Sequence, residues 1–371
     1  MSFLGSSSRR GVVHRLRQLL THTTVLTLAA GLAGTAGAPA AHAADGRSLL
    51  VNAITNYRGS FLVYNFGGDH PAPLLNAAGN WYESGNGGHL LVIKAASQRM
   101  NPRLLVDSHR GIQSRCERDP RARTAEGLWQ ASEVFTPLEA WQALGRPTIA
   151  VNANFFDIRG QRGGSWRTTN CSSPLGAYVD NTRGKGRANV AVTGTVPYAG
   201  KQGLSGGNEH WSTLTTMILP TRGAPYVLWP RGGRDGGDYD AAGPTITGLV
   251  ERGERFVAVS GLGLLAPGVT GQLNDGGPSA ARTAVGYSRA KDELYIFQGG
   301  HYTPDNMQDL FRGLGSDHAV LLDGGSSSAV VLRRDAGGMW TGAGVPHGSC
   351  DTAQVLCDAH ERALPSWLGF N

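Results

Sequence analysis

Ala319-Val320-Leu321-Leu322-Asp323-Gly324-Gly325-Ser326-Ser327-Ser328-Ala329-Val330-Val331-Leu332 is two apolar runs joined by one acid, two glycines and three serines. Each run has the length and composition of a buried strand. The joint puts a carboxylate at the end of the first strand, then backbone free to take positive φ, then hydroxyls. A turn between strands needs only Asp-Gly or Asn-Gly, so the serines exceed what turning requires. Successive N–H groups in such a loop can form an anion-binding nest. The carboxylate can act as base, nucleophile or metal ligand.

Just upstream, Thr303-Pro304 opens a helix whose Met307, Leu310, Phe311 and Leu314 share one face, with Gly315 as its stop. Before it, Thr283–Tyr287 and Glu293–Phe297 read as strands close enough for a hairpin across Ser288–Asp292. Thr136-Pro137-Leu138-Glu139 combines an N-cap, a first-position proline and a capping-box glutamate. Leu138, Trp141 and Leu144 lie on one face of that helix, and Gly145 ends it. The β-branched run Pro147-Thr148-Ile149-Ala150-Val151 follows and ends on Asn152-Ala153-Asn154-Phe155-Phe156-Asp157. Further strands are expected at Leu90–Ala95, Leu104–Asp107, Ala188–Val192, Thr215–Leu219 and Phe256–Val259, with Asn101-Pro102 breaking the first two apart. The expected fold is α+β: a mixed β-sheet core with a few helices packed on it, long Gly-rich loops and a single catalytic domain. That domain spans 89–335, after an irregular lead-in over 44–88 and before a disulfide-tied tail over 336–371.

Residues 1–43 read as an export signal. Arg9, Arg10, Arg15 and Arg17 precede the modest apolar stretch Val25–Leu32, and Ala41-His42-Ala43 fits a small-x-small cleavage site. Ser8-Arg9-Arg10-Gly11-Val12-Val13 leaves both ordinary and twin-arginine export open. The apolar stretch is too short to span a bilayer, so no membrane span is expected after processing, and the protein is expected to be secreted. The chain is formally +6, and the signal holds four arginines and no acids, so the remainder is about +2. It carries no dense Lys/Arg stripe interleaved with aromatics, which argues against nucleic acid as partner. Glycine is abundant: 54 of 371 residues, about twice the usual ~7%, many in clusters such as Gly232–Asp238. That is the composition of a β-rich protein with long shaped loops. Oligomeric state has no signature here.

All four cysteines, Cys116, Cys171, Cys350 and Cys357, lie beyond the signal. An even count in an oxidising compartment implies two disulfides. Three pairings are possible. Proximity favours Cys350–Cys357, which leaves Cys116–Cys171. The alternative, metal binding, lacks any Cys-x-x-Cys or paired-His spacing.

Three polar clusters sit at strand ends: Asn152–Asp157, Arg282-Thr283-Ala284-Val285-Gly286 and Asp323–Ser328. A Gly243-Pro244 turn before Thr245-Ile246 is a fourth element of the pattern. Together they would give a cleft holding a carboxylate, an amide pair, a guanidinium and hydroxyls. Such a mixture suits an anionic, hydroxyl-rich ligand, since a guanidinium can hold phosphate with two parallel hydrogen bonds. His301 follows Gly299-Gly300 at a strand end and could touch ligand or shuttle a proton. A lone histidine is more often structural, as His318 is read to be. Asp275-Gly276-Gly277 reads as a flexible loop that could border the cleft. Asp323, Asp157 and Asp275 could offer oxygens to Ca²⁺, but no EF-hand or His-rich spacing supports it, and no cofactor is expected.

These four motifs, in this order from about Leu90 to Leu332, resemble the phosphodiester glycosidase domain. That family includes the enzyme that removes N-acetylglucosamine from the phosphodiester cap on mannose 6-phosphate, and many exported bacterial proteins. Two positions depart from its pattern. The first motif reads Asn152-Ala153-Asn154 where that enzyme has a glycine pair, and Ser326 stands where a third glycine is common. The resemblance implies cleavage between an anomeric carbon and a phosphate oxygen in a glycosyl phosphodiester of a cell-surface or extracellular glycan. It implies that Arg282 and the N–H groups of Gly324, Gly325, Ser326 and Ser327 bind phosphate. Asp323 would activate water or support the anomeric carbon. Asn152 and Asn154 would bind sugar hydroxyls, Phe155 or Phe156 would offer an apolar face, and Gly243, Thr283 and His301 would line the site. Two other readings remain open: a glycosidase on neutral wall polysaccharide, and a non-catalytic glycan-binding module.

Overall fold

The two apolar runs of the opening segment do not pair with each other; they belong to different sheets. His318–Leu321 lies in a ten-stranded sheet, and Ala329–Arg333 lies in a five-stranded one. Asp323–Ser328 is therefore the chain's crossing from one sheet to the other. The computed structural model describes residues 54–57, 61–66, 72–76, 78–83, 87–105, 132–157, 171–184, 214–228, 242–267, 278–334, 350, 352–359 and 362–371. All of them fall within the unit Ala43–Asn371. The expected signal, Ala188–Val192, Gly232–Asp238, Asp275–Gly277, Asp107 and Cys116 lie outside the described residues.

The large sheet runs Ile54–Tyr57, Phe61–Phe66, Gly88–Lys94, Glu293–Tyr302, Ala280–Ser288, His318–Leu321, Phe256–Leu265, Thr215–Pro220, Tyr226–Leu228, with Val179–Asp180 pairing Phe256–Leu265 off this path. The small sheet runs Val355–Ala359, Ala329–Arg333, Ile149–Asn152, Trp367–Phe370, Pro102–Leu104. Every strand pair among the described residues is antiparallel, which corrects the expectation of a mixed sheet. The strands read as buried apolar runs because both faces of each sheet are covered.

Side chains alternate between faces with a period of two. Leu91, Ile93, Val285, Ile296 and Val320 of the large sheet meet Val151, Val330, Leu332 and Leu368 of the small sheet in one core. Leu90, Val92, Ala284 and Phe297 point the other way, under Met307, Leu310, Phe311 and Leu314 of the Pro304–Gly313 helix. Ala329, Val331 and Trp367 face outward from the small sheet onto Trp141 of the Pro137–Ala143 helix. Both helices start as their sequences dictate. Thr136 caps the first in a capping box with Glu139, and Thr303 caps the second with Asn306. Gly145 and Gly315 follow them at φ 86° and 75°.

The lead-in and the tail are more integrated than expected. Ile54–Tyr57 and Phe61–Phe66 extend the large sheet, and a hairpin of Pro73–Leu75 with Trp81–Glu83 lies against the Pro304–Gly313 helix through Leu74. Val355–Ala359 and Trp367–Phe370 are strands of the small sheet. Pro102 starts a strand rather than breaking one; the break is the short Ala96–Arg99 helix. Gly243-Pro244 is not a turn but the start of the helix Ala242–Glu251, whose Ile246 and Leu249 pack on Ile218, Phe256 and Ala258. Proline fits a first helical turn as well as it fits a bend. Cys350 and Cys357 are bonded as expected. Cys171 is also disulfide-bonded; Cys116, its expected partner, lies outside the described residues. Among the described residues, no helix is long and apolar enough to cross a membrane.

Glycine is required where the large sheet delivers the strand before Asp323. A Cβ at Gly261 would lie 2.0 Å from the Leu321 carbonyl oxygen and 2.8 Å from Val320. Backbone cannot yield as a side-chain tip can, so Gly261→Ala should cost at least the ~1–3 kcal/mol of overpacking. A thermal melt within 1 °C of wild type would contradict this.

Candidate active site

One end of the two-sheet stack collects most of the polar clusters read from the sequence. Asn152 ends a small-sheet strand there. Its side-chain amide donates to the Asp323 carbonyl at 2.7 Å, while its Oδ1 accepts from Thr283 Oγ1 at 2.7 Å and from the Ala329 N–H at 2.9 Å. One side chain thus ties the small sheet, the large sheet and the crossing segment together. The Asp323 N–H donates to the Ala153 carbonyl at 2.9 Å, and the Leu322 N–H to Thr283 at 2.8 Å. Asn154, fully buried, donates to the carbonyls of Leu175 (2.7 Å) and Ala177 (2.9 Å) and accepts from the Ser260 N–H at 3.1 Å. The amides of Asn152 and Asn154 therefore meet protein partners on both their donor and acceptor sides.

The crossing segment is a short 3-10 turn, Gly325–Ser327. Gly325 has φ 63° with open space where a Cβ would stand, so it is glycine for its backbone angle. Gly324 is extended, but a Cβ there would lie 2.8 Å from the Ala281 carbonyl and 3.5 Å from Arg282 Nη1. Its bareness lets the Ala281 backbone approach the loop, with Arg282 in ordinary contact alongside. The loop's amides divide into two pairs. The Gly324 N–H donates to Asp323 Oδ1 at 2.9 Å, and the Ser327 N–H donates to the Gly324 carbonyl at 3.2 Å. That leaves Gly325 and Ser326, half of the expected four-amide cradle, as the amides able to meet a ligand.

Arg282 donates through Nε to the Tyr302 carbonyl at 2.9 Å and through Nη2 to the Pro278 carbonyl. A β-bulge between Ala280 and Arg282 reshapes the pairing with Glu293–Tyr302 at this point. His301 sits in that bulge, exposed, at φ 62°. A non-glycine residue held there is strained, and such strain clusters at functional sites. Thr283 is fully buried, its hydroxyl committed to Asn152. Phe155 and Phe156 are buried. Gly243 lies in the helix Ala242–Glu251, whose Ile246 and Leu249 pack on Phe256 and Ala258.

Arg362 is not among the candidates that the sequence offers, yet it reaches the crossing loop. It lies just ahead of the Trp367–Phe370 strand, in the segment read as a tail. Its Nη1 donates to Ser326 Oγ at 2.9 Å, and its guanidinium carbon stands 5.0 Å from the centre of the Phe156 ring. The only signal in the sequence is a cation shortly before a buried run, the same layout as Arg282.

The electrostatics centre on Asp323. Burial lifts its carboxyl to about 6; the Ser327 hydroxyl, Arg362, the Gly324 N–H and Arg282 all pull the other way without cancelling it. Burial also lowers Arg282 and Arg362, and the charge of Asp323 opposes that lowering in both. The charges of two guanidiniums thus act on one carboxyl raised to about 6, within the range in which a side chain can exchange protons near neutral pH. Among the described residues, no group of three His, Cys, Asp or Glu side chains could hold a metal ion. Asp275, and the side chain of Asp157, lie outside them.

Residues 146–370 match the family model for phosphodiester glycosidases. The fold is similar to the catalytic domain, auto-inhibited by its pro-peptide, of zebrafish N-acetylglucosamine-1-phosphodiester alpha-N-acetylglucosaminidase. That domain is 15% identical over 85% of each chain, with a TM-score of 0.45. A protein from Synechocystis is 13% identical over 85% of this chain and 63% of that one, with a TM-score of 0.39. No curated protein matches the chain in sequence. The match covers well over half of the chain, which therefore belongs to the phosphodiester glycosidase family.

Proposed function

We propose that this member of the phosphodiester glycosidase family is an exported hydrolase. Its substrate would be a glycosyl phosphodiester of a cell-surface or extracellular glycan, cut between the anomeric carbon and the phosphate oxygen. The single observation that supports this most is the placing of Asp323, near neutrality, beside Arg282 at the loop that crosses between the sheets. The basic start, the small-x-small site and the disulfides support export.

In this reading Arg282 and the amides of Gly325 and Ser326 hold the phosphate. The C1–O bond breaks and its electron pair leaves on the phosphate oxygen. A phosphate monoester is a weak base, so it leaves with less protonation than an alkoxide needs. Water adds to the anomeric carbon, and its proton passes to the Asp323 carboxylate. Free sugar and a phosphate monoester are the products. Asn152, Asn154 and Thr283 act as positioning residues, since their polar groups face protein.

The test is release of free sugar from a glycosyl-1-phosphate diester, set against a neutral aryl glycoside of the same sugar. The diester is expected to be cleaved at least 100-fold better by kcat/KM. Comparable cleavage of both would favour a plain glycosidase, and tight binding without release would favour a glycan-binding module. The pH profile gives a second check. Asp323 works ionised, so kcat/KM should climb from pH 4 and level off above an acid limb near 6. A profile flat from pH 4 to 7 would remove Asp323 as the working base.

A further inference from the structure

We infer that Arg362 is a second anion-binding residue, that Ser326 and Phe156 hold it in place, and that this pin sets the preference for phosphorylated over neutral substrates. The inference rests on the reading of the site as a phosphodiester site, and it assigns a role to the position where this loop departs from its family's usual glycine.

The geometry is specific. Ser326 is exposed at the tip of the crossing loop, so packing does not require a side chain there. Its Oγ nonetheless accepts from Arg362 Nη1 at 2.9 Å. A guanidinium is planar, so one hydrogen bond and one ring face are enough to fix its plane. The ring is Phe156, 5.0 Å away, itself buried at the end of the Asn152–Asp157 segment. Cation–ring contacts strengthen when desolvated, and Arg362 is desolvated enough for its proton affinity to fall. Arg282 reaches the same loop at Gly324, where its Nη1 would stand 3.5 Å from an added Cβ. One guanidinium thus approaches the loop at Gly324 and the other at Ser326, and Asp323 feels the charge of both. With the carboxylate ionised, that trio carries a net charge of +1. Such a site favours an anion over a neutral glycoside.

A glycine at 326 would keep the loop and lose the hydroxyl. Arg362 would then lose that hydrogen bond, and its contact with the Phe156 ring would hold its plane less firmly. The charge near Asp323 would be less fixed, and the carboxyl would lose part of what keeps it ionised.

The experiment uses the full mature chain, with Ser326→Gly as the main variant and Arg362→Gln beside it. Inorganic phosphate binding is followed by calorimetry, and kcat and KM by hydrolysis of a glycosyl-1-phosphate diester. Ser326→Gly is expected to weaken phosphate binding 3–10-fold, in the range of about 1 kcal/mol for one lost hydrogen bond. KM should rise by a similar factor, more than kcat falls, and the acid limb should move upward. Arg362→Gln should do the same more strongly, and Arg362→Lys should not rescue the plane-dependent part. If Arg362→Gln fails to fold, Ser326→Gly alone decides, since its side chain is exposed. Unchanged phosphate affinity, KM and acid limb in Ser326→Gly would overturn the inference, even with diester hydrolysis intact. Phosphate binding that depends on Arg362 in a protein that cleaves no diester would instead sustain this inference and sink the proposed reaction.

Discussion

Asp323→Asn should abolish turnover and, at neutral pH, make the protein more stable. The two effects have one cause. The carboxyl is held where burial outweighs its hydrogen bonds from Ser327 and Gly324 and the charges of Arg362 and Arg282, so it titrates near 6 rather than near 4. The folded state therefore binds this proton more tightly than the unfolded chain does. Stability from this group is fully present below about pH 4 and is lost as pH rises through 6. At pH 7 the ionised form costs about 3 kcal/mol, from a shift of about two pH units at about 1.4 kcal/mol per unit. Asparagine has nearly the same shape and carries no charge to desolvate, and its Oδ1 can still accept from the Gly324 N–H. The variant should melt higher than wild type at pH 7, and the difference should vanish near pH 4. Turnover of the diester should drop by ~10³-fold or more, since a positioned base contributes about 10²–10⁴-fold and the amide supplies neither base nor negative charge. Stopped-time assays and paired melts at pH 4 and pH 7 test both limbs. Wild-type turnover in the asparagine variant would take Asp323 out of the mechanism. An equal melting difference at both pH values would mean that its charge is not what strains the site.

The sequence carries much of this arrangement, but unevenly. Helix starts were legible because capping is local: Thr136 with Glu139, and Thr303 with Asn306, need only three residues of sequence. The hairpin of Ala280–Ser288 with Glu293–Tyr302 was legible for the same reason. The two-sheet arrangement was not. Val330 and Val331 look alike in sequence, yet one faces the inter-sheet core and the other the outer helix layer. When both faces of a strand are apolar, periodicity no longer says which sheet it joins. The sequence singles out Asp323 and Arg282 as candidates because chemistry-bearing residues stand beside glycines at strand ends, and the fold brings both to the crossing loop. The position of Asn152 at a strand end points to the site, but it suggests an amide that meets sugar. Only the register, which sets Thr283, Ala329 and Asp323 around it, reveals a fastener. Arg362 was hidden because its approach to Ser326 joins two segments 36 residues apart. The Gly243-Pro244 pair misled because proline's fixed φ suits a bend and a helix's first turn alike.

Asn152→Ala is the change expected to cost the most stability at the site. It removes three hydrogen bonds at once, and the Ala329 N–H and Thr283 hydroxyl it leaves behind are buried. Each buried group left without a partner costs about 1–3 kcal/mol, and a shared network does not add simply. A loss of about 3–5 kcal/mol is expected, a large share of a typical domain's ~5–15 kcal/mol. Thr283→Val removes one of the bonds while Asn152 Oδ1 keeps its Ala329 donor, so about 1 kcal/mol is expected there. Denaturant unfolding of the two variants measures the contrast. Activity separates a fastener from a sugar ligand. If Asn152 only positions, its loss frees the Asp323 carbonyl, the carboxylate wanders relative to Arg282, and kcat falls at least tenfold with KM little changed. If Asn152 binds sugar, KM rises while stability holds, and Thr283→Val has no effect on either. The second pattern would return Asn152 to the substrate. The first would make the crossing of the two sheets, and not the loop alone, the element that sets Asp323 against the phosphate.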